Sequence, residues 1–168
     1  SRHETVCIID FGFRQTAFSV FDASGLRYSH AIEHGGYAIT KSISEKTGNT
    51  LSRAEEMKTA TGMNTKKDAA IAELVQKEIE ETLSIIKNSL KPYQAAISRI
   101  EITGGGSRIF GIRTLTERML HKPTTRGTIW VEPAQQKNVV LSHSALTQRQ
   151  HQIYAGAVGL ALRGQDRV

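Results

Sequence analysis

An apolar run near the start of the chain, IIDFGF, is broken by an acid and a glycine, Asp10 and Gly12, and two further apolar stretches follow closely. That spacing limits the fold more than any other feature. Residues 4–10 (ETVCIID), 16–21 (TAFSVF) and 26–32 have strand length and strand composition. Links this short cannot hold a crossover, so consecutive strands must run antiparallel. Asp22-Ala23-Ser24-Gly25 supplies the hairpin chemistry between the second and third.

After Gly35-Gly36 the period changes from two to that of a helix. Residues 37–46 read as helix, stopped by Gly48-Asn49, and Ser52 with Glu55 three positions on reads as a capping box for a short helix over 53–59. A long helix is expected over 66–90, with Leu74, Val75, Ile79, Leu83, Ile86 and Leu90 on one stripe and Pro92 beyond its end. Residues 99–103 form a fourth strand that runs into Gly104-Gly105-Gly106. A helix over 109–120, a fifth strand over 128–131 and a last helix over 148–162 complete the chain. An antiparallel meander followed by parallel crossovers is the ribonuclease-H-like plan, a mixed sheet flanked by helices. The sheet core is expected at about 4–34 and 66–168, with a small helical insertion subdomain at about 35–65.

Composition narrows the function. The 168 residues suit one domain. Lys and Arg outnumber Asp and Glu by 22 to 16, but the cations are scattered and no aromatic residues interleave with a basic stripe, so nucleic acid is not the expected partner. No apolar run is long enough to span a membrane. Cys7, the single cysteine, excludes an internal disulfide and sits in a strand as a small core residue. With no signal-peptide pattern at its start, the chain is expected in the cytoplasm. The histidines show no metal spacing, Ser142-His143-Ser144 has no nucleophile elbow around it, and Trp130 reads as core or interface.

Two stretches carry chemistry. A strand ending in Asp10-Phe11-Gly12 projects a carboxylate past the sheet edge, where it can hold a magnesium-bound water, while Gly12 admits phosphate oxygens to the backbone and Thr16 adds a hydroxyl. An ordinary β-turn would use the same residues. Gly104-Gly105-Gly106-Ser107 forms an open turn between strand and helix, with amides and a hydroxyl for a flat or anionic ligand. A glycine-rich connection built for close packing would look alike, and the stretch matches neither G-x-G-x-x-G nor a Walker A loop.

Together these stretches resemble the second half of the actin-like ATPase family, most nearly its FtsA/PilM branch. Asp10-Phe11-Gly12-Phe13-Arg14-Gln15-Thr16 resembles the second phosphate motif, D-x-G-x-x-x-T, and Gly35-Gly36 with Thr40 the step into the outer subdomain. Ala54-Glu55-Glu56-Met57-Lys58 resembles the A-E-x-x-K helix, Gly104 to Ser107 the adenosine motif, and Gly159-Leu160-Ala161-Leu162-Arg163 the closing helix.

The resemblance implies an ATP-binding scaffold with slow or no hydrolysis. Asp10, Gly12 and Thr16 would serve phosphate and Mg2+, with Asp10 toward the metal. Gly104, Gly105, Gly106 and Ser107 would frame adenosine, with Glu55 and Lys58 on its ribose or base. It implies a place at the cytoplasmic face of the inner membrane in a type IV pilus or secretion platform, bound to the cytoplasmic tail of a PilN-like partner, and self-association. An FtsA-like role in cell division, or an interaction domain that has lost the nucleotide, are the other readings. Phe13 stands where the family usually has a small residue, which would narrow the approach to phosphate. The first half of such a nucleotide site has no counterpart in the sequence, so half a site is expected.

Overall fold

The computed structural model describes residues 4–127. Five strands form one mixed sheet in the order β3-β2-β1-β4-β5: β1 Thr5–Phe11, β2 Thr16–Asp22, β3 Gly25–Ile32, β4 Ile97–Thr103 and β5 Thr124–Arg126. The meander is antiparallel, β1 against β2 and β2 against β3, whereas β4 lies parallel to β1 and β5 parallel to β4. This is the mixed sheet flanked by helices that the element order implied.

Alternation on the strands sets which face is covered. Cys7, Ile9 and Phe11 of β1, Phe18 and Val20 of β2, and Ile100 and Ile102 of β4 are buried in a single apolar cluster. Helix α3 (Ala69–Ser89) adds Ile71, Val75, Ile79, Leu83 and Ile86 at helical spacing, each fully buried aliphatic side chain contributing about 1.5–3 kcal/mol. Helix α4 (Ile112–Leu120) adds Ile112 and Leu115. Burial pushes the Cys7 thiol up to about 12, which leaves it a neutral packing group. No described helix is long and apolar enough to cross a membrane.

Helices α1 (Gly36–Thr47) and α2 (Leu51–Thr61) lie between β3 and α3 in the chain, and their Ile39, Ile43 and Ala54 join the same apolar cluster as the sheet. Three boundaries differ from the sequence expectation. Helix α2 begins at Leu51, because the Thr50 hydroxyl accepts the Arg53 N–H at 3.3 Å. Ser52 is therefore inside the helix, and Glu55 is no capping-box residue. Helix α3 begins at Ala69, where Asp68 accepts the Ile71 N–H, so residues 66–68 precede it.

The helix expected over 109–120 is divided. Residues Gly105–Arg108 make one 3-10 turn, Gly111 takes a left-handed conformation at φ 90°, and α4 starts after it. Strand β5 lies just before the expected 128–131. That expected strand, the final helix over 148–162, Trp130, Ser142-His143-Ser144 and the closing Gly159-Leu160-Ala161-Leu162-Arg163 motif all fall outside the described residues.

The cap assignment is measurable. Thr50→Ala should lower stability by about 1 kcal/mol, as expected for a lost N-cap acceptor, whereas Ser52→Ala should change it by less than ~0.5 kcal/mol. Urea denaturation of both variants decides it; the reverse ranking would restore Ser52 as the cap.

Candidate functional site

Because β1 and β4 are parallel neighbours in register from Asp10 to Thr103, the turns that follow them emerge side by side at one edge of the sheet. They touch closely. A Cβ added at Gly104 would fall 2.1 Å from Asp10 Oδ1 and 2.6 Å from the Phe11 carbonyl oxygen, and Gly104 itself has φ 79°. A Cβ at Gly106 would meet Phe11 Cβ at 2.8 Å. At Gly105 there is open space. Two of the three glycines thus serve the close approach of backbone to backbone, and the third faces outward.

A cleft of about 960 Å³ opens over these turns. Gly12, Phe13 and Gly36 line one part of it and Gly105, Gly106, Arg108 and Ile109 another, with Glu55, Lys58 and Thr59 of α2 opposite and Arg113, Thr124, Thr125 and Arg126 at the end beyond α4. The C-terminus of α2 is held in place by Gly62, which at φ 55° packs against Phe110, and by the bond from Met63 N–H to the Phe110 carbonyl.

Along this space lie backbone donors that have no partner among the described residues. The Gly12 N–H is not among them: it is donated inside the turn, to the Gln15 carbonyl at 3.1 Å. The Phe13 and Arg14 N–H groups make no hydrogen bond among the described residues, nor do those of Gly105 and Gly106, which begin the 3-10 turn and have no earlier carbonyl within it to reach. Phe13, Gly105 and Gly106 all line the cleft. Unbonded amides beside a concave surface form an anion-binding arrangement.

The side chains proposed from sequence divide into two groups. Glu55, Lys58, Gly12, Gly105 and Gly106 line the cleft. Thr16 and Ser107 do not: the Thr16 hydroxyl donates to the His34 carbonyl at 2.7 Å, the Ser107 hydroxyl donates to the Gly104 carbonyl at 2.7 Å, and both residues are buried. Gly104 lies behind the wall against Asp10, and neither of these two is among the residues that line the cleft.

Asp10 stands exposed at the end of β1, on the sheet face opposite the apolar cluster, and its carboxylate has no hydrogen bond or ion pair among the described residues. Neighbouring atoms still crowd it, and this burial raises its pKa above the ordinary carboxylate value. The sign follows. Ionised Asp10 costs stability at neutral pH, and the cost is relieved as pH falls through the raised folded-state pKa. A bound cation would relieve it likewise.

Glu55 is held in the opposite sense. Partial burial works against its charge, but hydrogen bonds from Lys58 and Thr40 and the Lys58 charge outweigh that, and its pKa is lowered. The Lys58 ammonium lies 2.7 Å from Glu55 Oε2, and the Thr40 hydroxyl 2.5 Å from the same oxygen. The other oxygen, Oε1, makes no hydrogen bond to the described residues, and Glu55 stands on the cleft wall.

The sequence model of the family described as "Cell division protein FtsA" matches residues 7–159. The chain belongs to that family. A curated relative, the cell division protein FtsA of Neisseria meningitidis serogroup B, is 24% identical over 148 residues, covering 73% of this chain and 36% of the relative. Among solved structures, a PilM-PilN type IV pilus biogenesis complex matches with TM-score 0.75 and 20% identity over 97% of this chain and 46% of that one. MreB5 of Spiroplasma citri bound to ADP matches at TM-score 0.66 and 16% identity, over 74% of this chain and 49% of that one. The archaeal actin homologue Ta0583 matches at 0.67 and 14% identity, over 99% and 49%. The fold is that of the actin-like ATPases, and the chain spans less than half the length of each of these relatives.

Three arginines of this FtsA-family cleft escape sequence reasoning. Arg126 Nε donates to the Ser107 carbonyl at 3.0 Å, which places it beside Arg108, and Arg113 reaches the Thr124 carbonyl at 3.4 Å as well as Glu117 at 3.0 Å. Their convergence comes from the fold of β5 against β4, and no local spacing announces it. Arg108, directly after the glycine turn, is the one that a closer reading of GGGSR could have named.

The turn geometry gives a direct expectation. Gly104→Ala should cost roughly 2–4 kcal/mol, since the new Cβ meets backbone at a positive φ, whereas Gly105→Ala should cost no more than ~1 kcal/mol. Thermal denaturation of the two variants separates them; equal losses would contradict the packing described.

Proposed function

We propose that the chain binds ATP in this cleft, as its share of an actin-like nucleotide site, and acts as a scaffold module of a type IV pilus or related secretion platform. The observation that carries the reading is the joint presence of amides at Phe13, Gly105 and Gly106, unbonded among the described residues, with the cations Arg108, Arg113 and Arg126 around one cleft. Amides and guanidinium groups match phosphate oxygens, and Glu55 Oε1 offers an acceptor to a ribose hydroxyl. Phe13 does not close the site: it is exposed and rests on Tyr37, with ring centroids 5.5 Å apart.

A magnesium ion here would draw most of its ligands from phosphate and water. Among the described residues no group of three or more His, Cys, Asp or Glu could hold a metal, and Mg2+ characteristically takes one or two carboxylates with the rest from water and phosphate. Asp10, unpaired among the described residues and disfavoured as a bare anion, is the residue that would hold it. Bound there, the ion would offset phosphate charge.

The assembly role is supported by the shape shared with the PilM-PilN complex, and we infer the corresponding partner to be the cytoplasmic tail of a PilN-like inner-membrane protein, with the chain peripheral at that membrane's cytoplasmic face. A role in cell division is the second reading, favoured by the family match and the Neisseria relative. A fluorescently labelled PilN-like tail peptide would bind the chain under the first reading, with Kd raised or lowered by ATP, and would not bind under the second.

Asp10→Asn tests the nucleotide reading. Stability at neutral pH should stay within ~0.5 kcal/mol of the parent or rise, because a disfavoured charge is removed. Magnesium-dependent ATP affinity, measured by calorimetry, should fall about tenfold or more. A stability loss of several kcal/mol with unchanged ATP affinity would make Asp10 a turn residue alone.

A further inference from the structure

Lys58 is 5% exposed although it lies on the wall of an open cleft. Its ammonium has three N–H bonds, and three acceptors surround it: the Gly36 carbonyl at 2.9 Å, Thr40 Oγ1 at 2.9 Å and Glu55 Oε2 at 2.7 Å. Every donor is taken within the protein. A ligand oxygen could be met only by breaking one of these bonds, each charge-assisted and each to a group that is itself partly buried.

The three acceptors belong to different parts of the site. Glu55 is on α2, Thr40 is on α1, and Gly36 opens α1. Gly36 in turn donates its N–H to the Gly12 carbonyl at 2.9 Å, and Tyr37 donates to the Phe13 carbonyl at 2.7 Å. The first turn of α1 therefore grips the Asp10–Thr16 turn from behind through its N–H groups, while Lys58 grips the same α1 turn through its carbonyl. The fit is tight: a Cβ at Gly36 would lie 3.3 Å from Lys58 Nζ and 3.7 Å from the Gly12 oxygen.

We propose that Lys58 is a positioning residue and not a ligand contact: its ammonium fixes the Glu55 carboxylate on one wall of the cleft and, through Gly36, the Gly12-Phe13 backbone on another. One buried cation thus sets both the acceptor that faces the nucleoside and the turn whose amides face the phosphates. The role that sequence resemblance gives Lys58, contact with ribose or base, passes to Glu55 Oε1 alone. The structural half of this inference is independent of what the cleft binds, and the ligand half rests on the nucleotide reading.

Hydrogen exchange in the ligand-free 168-residue chain tests the structural half. In Lys58→Met the amides of Gly36 and Tyr37 should exchange about tenfold faster or more, while those of α3 between Val75 and Leu83 keep their parental rates. Lys58→Gln, which retains two donors, should fall between. If Lys58→Met also deprotects α3, the comparison is made on Lys58→Gln. Parental exchange at Gly36 and Tyr37 in the variant compared would overturn the proposal.

The ligand half is read from ATP affinities of Glu55→Gln, Lys58→Met and the double variant. If Lys58 acts through Glu55 and the turn, the double variant should lose no more than about twofold beyond Lys58→Met. Losses that multiply would mean that Lys58 makes its own contact with the nucleotide and would overturn the assignment. Should the parent chain bind no ATP, the function proposed above fails, and the exchange result still decides whether Lys58 organises the cleft.

Discussion

Strand β1 is paired antiparallel to β2 on one side and parallel to β4 on the other, and the cleft depends on that double pairing. Antiparallel pairing returns the chain at once through the Gly12 turn, while parallel pairing sends the chain beyond β4 into the glycine turn at the same edge. The two turns then compete for one volume. The solution is the absence of side chains: Gly104 and Gly106 lie against Asp10 and Phe11, closer than any Cβ would allow. What is left outside that contact is a set of backbone amides with no partner among the described residues, and such donors are what an anion requires.

Charge on the cleft follows from how completely each group is already satisfied. Lys58, the cation that the sequence suggests, is saturated by the protein and spends its charge on internal order. Arg108 and Arg126 line the cleft, and neither forms an ion pair among the described residues. Asp10 is the reverse case, a carboxylate with no partner among the described residues and a raised pKa. An unpaired acid kept beside a crowded glycine turn is a poor stabiliser of the fold. Its chemistry makes sense when a cation is nearby.

Most of the framework is legible from residues alone. The alternation of Cys7, Ile9 and Phe11, the stripe from Val75 to Ile86 and the glycine turn each depend on local patterning, and each stands where the pattern puts it. Capping is harder, since Thr50 and Ser52 are both good N-cap residues and only the backbone conformation chooses between them. The direction of hydroxyls is not legible at all. Thr16 and Ser107 have the right chemistry for a phosphate, but each finds a nearer carbonyl and turns inward. Lys58 reads as a ligand contact because its three acceptors come from positions 36, 40 and 55, and nothing in the A-E-x-x-K stretch signals that they meet. Arg113 and Arg126 go unnoticed in the sequence for the same reason.

On this account the turns after β1 and β4 form one anion-binding surface. A titration of the isotopically labelled chain with ATP and Mg2+, followed by nuclear magnetic resonance, tests it most directly. The amides of Phe13, Gly105 and Gly106 should shift together along one saturation curve, with inorganic pyrophosphate reproducing part of the Phe13 shift. If these glycines serve packing alone, none of the three amides will show a saturable shift, and that result would contradict a shared anion site.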